Sequence, residues 1–154
     1  LGRMLRSVGV KPRAAGSRYD FEFHSKQGGQ EWDFAMSAVI SQNGGTIWVM
    51  AWLEEMPAKA SKVPAAALLR MLSENDRLGN GKFFAYDRRN RRFLMHRVVQ
   101  NQRITPTRLR GIFEDVAKGV MGSNSIWSVA RWNKKPPARQ SAVPPAPPAE
   151  RRRR

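Results

Sequence analysis

The stretch from Glu31 to Leu53 constrains the fold more than any other part of the chain. It reads EWDFAMSAVISQ, then NGG, then TIWVMAWL. In the first arm Trp32, Phe34, Met36, Ala38 and Ile40 fall on alternate positions, with Asp33, Ala35 and Ser37 between them. A period of two is the strand signature, because successive side chains point to opposite faces. Asn43-Gly44-Gly45 supplies the positive φ angles of a tight turn. The second arm is rich in β-branched and aromatic residues, which suit a pleated surface. The pattern predicts a long β-hairpin.

The second arm is apolar on both sides. Ile47, Val49, Ala51 and Leu53 share one face, and Trp48, Met50 and Trp52 share the other. A strand of this kind needs cover on both faces. One reading is a central strand packed by helices on one side and by a loop or terminus on the other. The second is that the Trp48/Met50/Trp52 face meets another protein, since Trp and Met are favoured at interface cores. The helix expected over residues 64–78 is a candidate neighbour of that face.

The flanking segments supply the other elements. Leu1, Leu5 and Val8 share a helical stripe beside Met4, and Gly9 follows as a stop, so residues 1–10 read as the end of a helix whose start is missing. Residues 11–18 read as a loop. Tyr19, Phe21 and Phe23 alternate with Asp20, Glu22 and His24, a half-buried strand that Gln27-Gly28-Gly29-Gln30 turns into the central hairpin. After a connector over 57–62, Pro64 opens a helix with Ala65, Leu68, Leu69, Met71 and Leu72 as its apolar side and Arg70, Glu74 and Arg77 outside. Lys82 to Tyr86 and Phe93 to Val99 form a second hairpin, tipped by Asp87-Arg88-Arg89-Asn90-Arg91-Arg92. Thr105 is the expected N-cap and Pro106 the first residue of the last helix, whose buried stripe is Leu109, Ile112, Phe113, Val116 and Val120. Gly119 and Gly122 weaken its far end, and residues 126–132 fit either a helical turn or a short strand. The order α-β-β-β-α-β-β-α defines an α+β sandwich: an antiparallel sheet with helices packed on one face.

Charge separates the chain into two parts. The net charge is +16 over 154 residues. Residues 133–154 hold seven Lys or Arg and one Glu, a net of +6, which leaves +10 on residues 1–132. Pro and Ala dominate 136–148, so 133–154 is expected to be a disordered basic tail following a domain over 1–132. A surplus of this size attracts polyanions. There is no Cys, hence no disulfide framework and no thiolate metal site, which fits a reducing compartment and an expected cytoplasmic location. No apolar run is long enough for a membrane span.

The element order resembles the type III secretion chaperone-like fold, which includes the Tir chaperone family and the YbjN-like proteins. The resemblance covers roughly residues 1–130 and is carried best by PAAALLRMLSENDRLGNGKFFAYDRRNRRFLMHRVVQNQRITPTRLRGIFEDV. Its features are Leu68, Leu69 and Leu72 in a Leu-rich helix, Asn75 at the helix exit, Gly81 before Phe83 and Phe84, Asp87 at a hairpin tip, the strand Phe93 to Val99, and Thr105-Pro106. The resemblance implies a non-enzymatic domain that binds another polypeptide and is commonly dimeric through the Leu-rich helix. Such chaperones are usually acidic, whereas this chain is strongly basic and carries a Pro/Arg tail.

No catalytic or metal-binding constellation is visible, and no cofactor is implied. His24 and His96 stand alone, without neighbours at ligand spacing. Glu54-Glu55 and Glu114-Asp115 are adjacent pairs that fit solvated faces better than opposed acid/base groups. Two surfaces remain as binding candidates. The first, for a polypeptide client or partner protein, comprises Trp48, Met50 and Trp52 with Leu68 and Leu72. The second, for a polyanion, comprises Arg88, Arg89, Arg91 and Arg92 at the hairpin tip, with Arg97, Arg103, Arg108 and Arg110 beyond it and Arg151, Arg152, Arg153 and Arg154 in the tail. A protein-interaction module is therefore the first reading, with a homodimer among its expected assemblies. A nonspecific nucleic-acid-associated protein is the alternative.

Overall fold

The computed structural model describes residues 1–132, without the side chains of Gln27 and Ala60. The expected tail, including Arg151 to Arg154, lies outside the described residues. Helix α1 (Gly2–Ser7) precedes strands β1 (Arg13–Ala15), β2 (Arg18–Gln27), β3 (Gln30–Ile40) and β4 (Thr46–Glu55). Helix α2 (Ala65–Leu78) leads to β5 (Lys82–Asp87) and β6 (Arg92–Gln100), and α3 (Pro106–Gly122) and the single turn α4 (Asn124–Trp127) follow. All pairings are antiparallel, and the strand order is β1-β2-β3-β4-β6-β5.

The sheet has one covered face. The alternation of β2, β3 and β4 sends Phe21, Phe23, Phe34, Met36, Ala38, Ile47, Val49, Ala51 and Leu53 to that side, where all are buried. Helix α3 lies across them with Leu109, Ile112, Phe113, Val116 and Val120 inward, as its periodicity predicts. Phe113 sits at the centre, its ring 4.9 Å from that of Phe21 and 5.6 Å from that of Phe23. Thr105 caps α3 by accepting from the Arg108 N–H at 3.2 Å, and Pro106 opens the helix.

Several expectations are corrected. Residues 11–18 are not all loop, since Arg13–Ala15 pair with Arg18–Asp20 as a three-residue edge strand too short to show a period. In the central turn only Gly44 takes a positive φ, of 71°. Asn43 acts through its side chain, which accepts from the Gly45 N–H at 3.0 Å. Gly119 is a point of close approach and not a weakness: a Cβ there would lie 2.8 Å from Sδ of Met95. Residues 124–131 form a helical turn followed by a 3-10 turn, not a strand.

The acidic pairs are also not simply solvated. Glu54 accepts from the Ser128 hydroxyl at 3.0 Å and the Val129 N–H at 2.7 Å, tying β4 to the end of the domain. Asp115 accepts from Lys82 Nζ at 2.7 Å and from Arg97 Nη1 at 2.7 Å, joining α3 to β5 and β6.

On α2 the expected apolar side mixes two faces. A stripe at helical spacing, Ala67, Met71, Asn75 and Leu78, turns inward, with Ala67 and Met71 buried. Leu69 and Leu72 lie on the outer side, 65% and 63% exposed, whereas Glu74, expected outside, is half-buried.

Candidate functional site

The other face of the sheet carries the candidate site. Register places Val39 opposite Trp48 and Trp48 opposite Val98, and it places Ser37, Met50, His96 and Phe83 in one cross-strand row. Trp52 pairs with Leu94 in the next row. These residues alternate with the core side chains, so they emerge on the side away from α3. Among the described residues no helix packs there, and the band holds itself together. Trp48 meets the His96 ring edge-on at 5.8 Å and the Phe83 ring at 6.4 Å, and Phe83 stacks on His96 at 5.2 Å.

A hydrogen-bonded network fixes Trp52. Its indole N–H donates to Ser37 Oγ at 2.7 Å, and the Ser37 hydroxyl donates to Asp20 at 2.5 Å. Arg18 donates to the same carboxylate at 2.9 Å, and its guanidinium lies over the Trp52 ring, 5.1 Å from the centroid. The ring is thus held at one edge by a hydrogen bond and on one face by a cation. A groove of about 910 Å³ runs beside it, bordered by Lys11, Arg13, Glu22, Asp33 and Arg92.

His96 is a half-buried titratable group of this face. Burial pushes its imidazole below the usual range, and its Nδ1 has no hydrogen-bond partner. His24, by contrast, is exposed and meets Asp33 at 2.8 Å.

The predicted site residues separate into three groups. Trp48, Met50 and Trp52 share the open face and are half-buried. Leu68 and Leu72 do not join them, because α2 packs against β5 and α4 on the helical side of the sheet. The helix is therefore not the neighbour of the Trp face. Nor does the arginine set form one patch. Arg88 and Arg89 are exposed at the tip, Arg91 donates to the Met56 carbonyl at 3.1 Å, Arg97 pairs with Asp115, and Arg92 points to the open face. At the tip Asp87 accepts from the Asn90 side chain at 2.6 Å, which with the neighbouring backbone N–H groups lowers its pKa.

Sequence reasoning missed Phe83, Leu94, His96, Val98, Val39, Ser37 and Arg18 as members of the face. Each lies on an alternating strand, but the alternation alone does not say which strands are neighbours. Among the described residues no group of His, Cys, Asp and Glu is placed to hold a metal ion, and no helix is long and apolar enough to cross a membrane.

No protein-family model matches the sequence, and no curated protein matches it. Solved structures do. A chain of the HopA1–SchA chaperone–effector complex matches at 12% identity with a TM-score of 0.50, covering 79% of this chain and 88% of that one. A chain of the ExsC–ExsE complex matches at 8% identity with a TM-score of 0.54, covering 82% and 90%. A chain of the complex between the Yersinia pestis type III secretion chaperone SycH and a stable fragment of YscM2 aligns over 79% of this chain and 94% of that one, at 11% identity with a TM-score of 0.46. The chain has the type III secretion chaperone fold, as its element order predicts. At these identities the likeness is one of fold, and one fold hosts many functions.

Proposed function

We propose that this chain is a non-enzymatic module that binds another polypeptide on the open face of its sheet, with Trp48, Met50 and Trp52 as anchors. The observation that carries the reading is the continuous band of Trp48, Met50, Trp52, Leu94, Val98 and Phe83, which no helix covers among the described residues. Apolar faces of this kind on a folded domain mark interaction surfaces, and Trp dominates interface energetics. The solved chaperone–effector complex that shares the fold supports a polypeptide as the partner.

The test is an array of random-sequence 15-residue peptides on a neutral support, probed with the labelled full chain. Peptides that bind the wild type are expected to lose binding to a Trp48→Ser/Trp52→Ser variant whose circular dichroism is unchanged. They are expected to keep binding to Leu69→Ser/Leu72→Ser. Equal binding to all three proteins removes the open face as the site.

Self-association belongs to a different surface. Leu69 and Leu72 are the most exposed leucines of the described residues and lie together on α2. A second copy of the chain is their proposed partner. Light scattering is expected to give a dimer mass for the wild type and a monomer mass for Leu69→Ser/Leu72→Ser; a wild-type monomer at all concentrations overturns this.

A further inference from the structure

We infer that the polypeptide held on the open face is acidic, carrying Asp or Glu beside the apolar residues that rest on Trp48, Met50 and Trp52, and that Lys11, Arg13 and Arg92 recognise those carboxylates. The inference rests on the open-face reading and adds the chemistry of the partner.

Charge balance in the groove beside Trp52 is the first argument. Its acidic members are partly engaged within the domain: Asp20 is paired with Arg18 and accepts from Ser37, and Asp33 is hydrogen-bonded to His24. Arg18 is spent on Asp20, but the groove's other Lys and Arg members are not paired. Lys11, Arg13 and Arg92 make no ion pair among the described residues, and Glu22 is the only acidic lining residue in the same condition. The uncommitted charge of the groove is therefore positive. Second, Arg92 Nε is buried without an acceptor, and a buried guanidinium donor without a partner is costly. Arg92 also lines the groove, and its planar guanidinium fits a carboxylate in two-pronged geometry through the two terminal nitrogens.

The chain's own tail, an alternative occupant, is disfavoured by charge. Residues 133–154 carry +6 and residues 1–132 carry +10, so the tail is repelled by the domain that would hold it. An acidic segment from another protein is attracted by both. Charged groups at the rim then set partner choice and encounter rate, while the aromatic band supplies the contact area.

The peptide array tests this with two further proteins. Lys11→Gln/Arg13→Gln/Arg92→Gln removes the three groove cations and leaves the Arg18–Asp20 pair in place. Arg3→Gln/Lys59→Gln/Lys62→Gln removes the same charge from exposed positions elsewhere. Wild type and the second variant are expected to select peptides enriched in Asp and Glu alongside apolar residues. The groove variant is expected to bind the best of those peptides about tenfold more weakly, the sum of three rim pairs, and to retain apolar peptides. Lys11→Gln/Arg13→Gln serves if the triple variant is unstable, with a proportionally smaller loss. Equal weakening in the groove and control variants means general charge attraction and overturns the inference. So does a selected pool without acidic enrichment, even where binding still needs Trp48 and Trp52; that result leaves the open-face reading standing. A pool indifferent to Trp48 and Trp52 removes both. A 20-residue oligothymidylate that binds the wild type and is lost in the groove variant, with no acidic peptide bound, assigns the cations to phosphate and also overturns it.

Discussion

The side-chain amide of Asn75 occupies the place of a neighbouring strand for Phe84. Its Oδ1 accepts from the Phe84 N–H at 2.7 Å, and its Nδ2 faces the Phe84 carbonyl at 3.5 Å. Strand β5 is the edge of the sheet, and an edge with free N–H and C=O groups is a template for pairing with another chain. Asn75→Ala is expected to cost about 1–2 kcal/mol, because it leaves the Phe84 N–H without its acceptor. Thermal denaturation gives the loss. Light scattering is expected to show more concentration-dependent association, and a variant as stable and as monodisperse as the wild type contradicts the role.

Asp115 balances two cations at the junction of α3 with β5 and β6. Lys82 is only 8% exposed, and both it and Arg97 reach the same carboxylate. Removing the anion strands two partly buried positive charges. Asp115→Ala is therefore expected to cost about 3 kcal/mol in urea unfolding. Lys82→Met, which removes a cation and leaves Arg97 to neutralise the carboxylate, is expected to cost clearly less. Equal losses argue against this charge accounting.

His96 makes stability depend on pH in a defined direction. Burial holds its folded-state pKa below the usual value near 6.5, so the unfolded chain binds the proton more readily. Its contribution is complete above about pH 6.5 and is lost as pH falls through the folded pKa. The melting temperature is expected to fall between pH 7 and pH 5, and to fall less in His96→Gln. Parallel curves for the two proteins rule out His96 as the source.

Ser37 couples Trp52 to Asp20. It is fully buried, accepts from one and donates to the other. Ser37→Ala is expected to cost about 1 kcal/mol, the net value of such hydrogen bonds. Trp52 would lose a restraint on its orientation, and peptide binding on the open face is expected to weaken. In a double-mutant cycle Asp20→Asn and Ser37→Ala are expected to be non-additive, since they share one network. Strict additivity means the contacts are independent.

Much of this fold is legible in the residues. The alternation of Trp32 to Ile40 and of Ile47 to Leu53, the N-cap at Thr105 and the stripe from Leu109 to Val120 each follow from a local rule. What escapes is non-local. Nothing in Lys82 to Tyr86 says that β4 pairs with β6 and that β5 lies outside. The one signal is the run Phe93-Leu94-Met95, three consecutive buried residues, which marks an interior strand flanked by neighbours and not an edge. On α2 the leucines mislead because hydrophobicity alone does not separate the packed stripe of Ala67 and Met71 from the exposed pair Leu69 and Leu72. The Trp face was legible as apolar from β4 alone. Its partners on β3, β5 and β6, and the Arg18 contact, needed the register.

The position of β6 between β4 and β5 sets an order of events during synthesis. The meander of β2, β3 and β4 leaves the ribosome first, and the free side of β4 has no partner until residues 56–91 and then β6 have emerged. At roughly 5–20 residues per second that interval lasts a few seconds. Throughout it a strand apolar on both faces presents an open edge to every other nascent chain nearby, so the β4–β6 seam cannot be sealed until the final strand has been made.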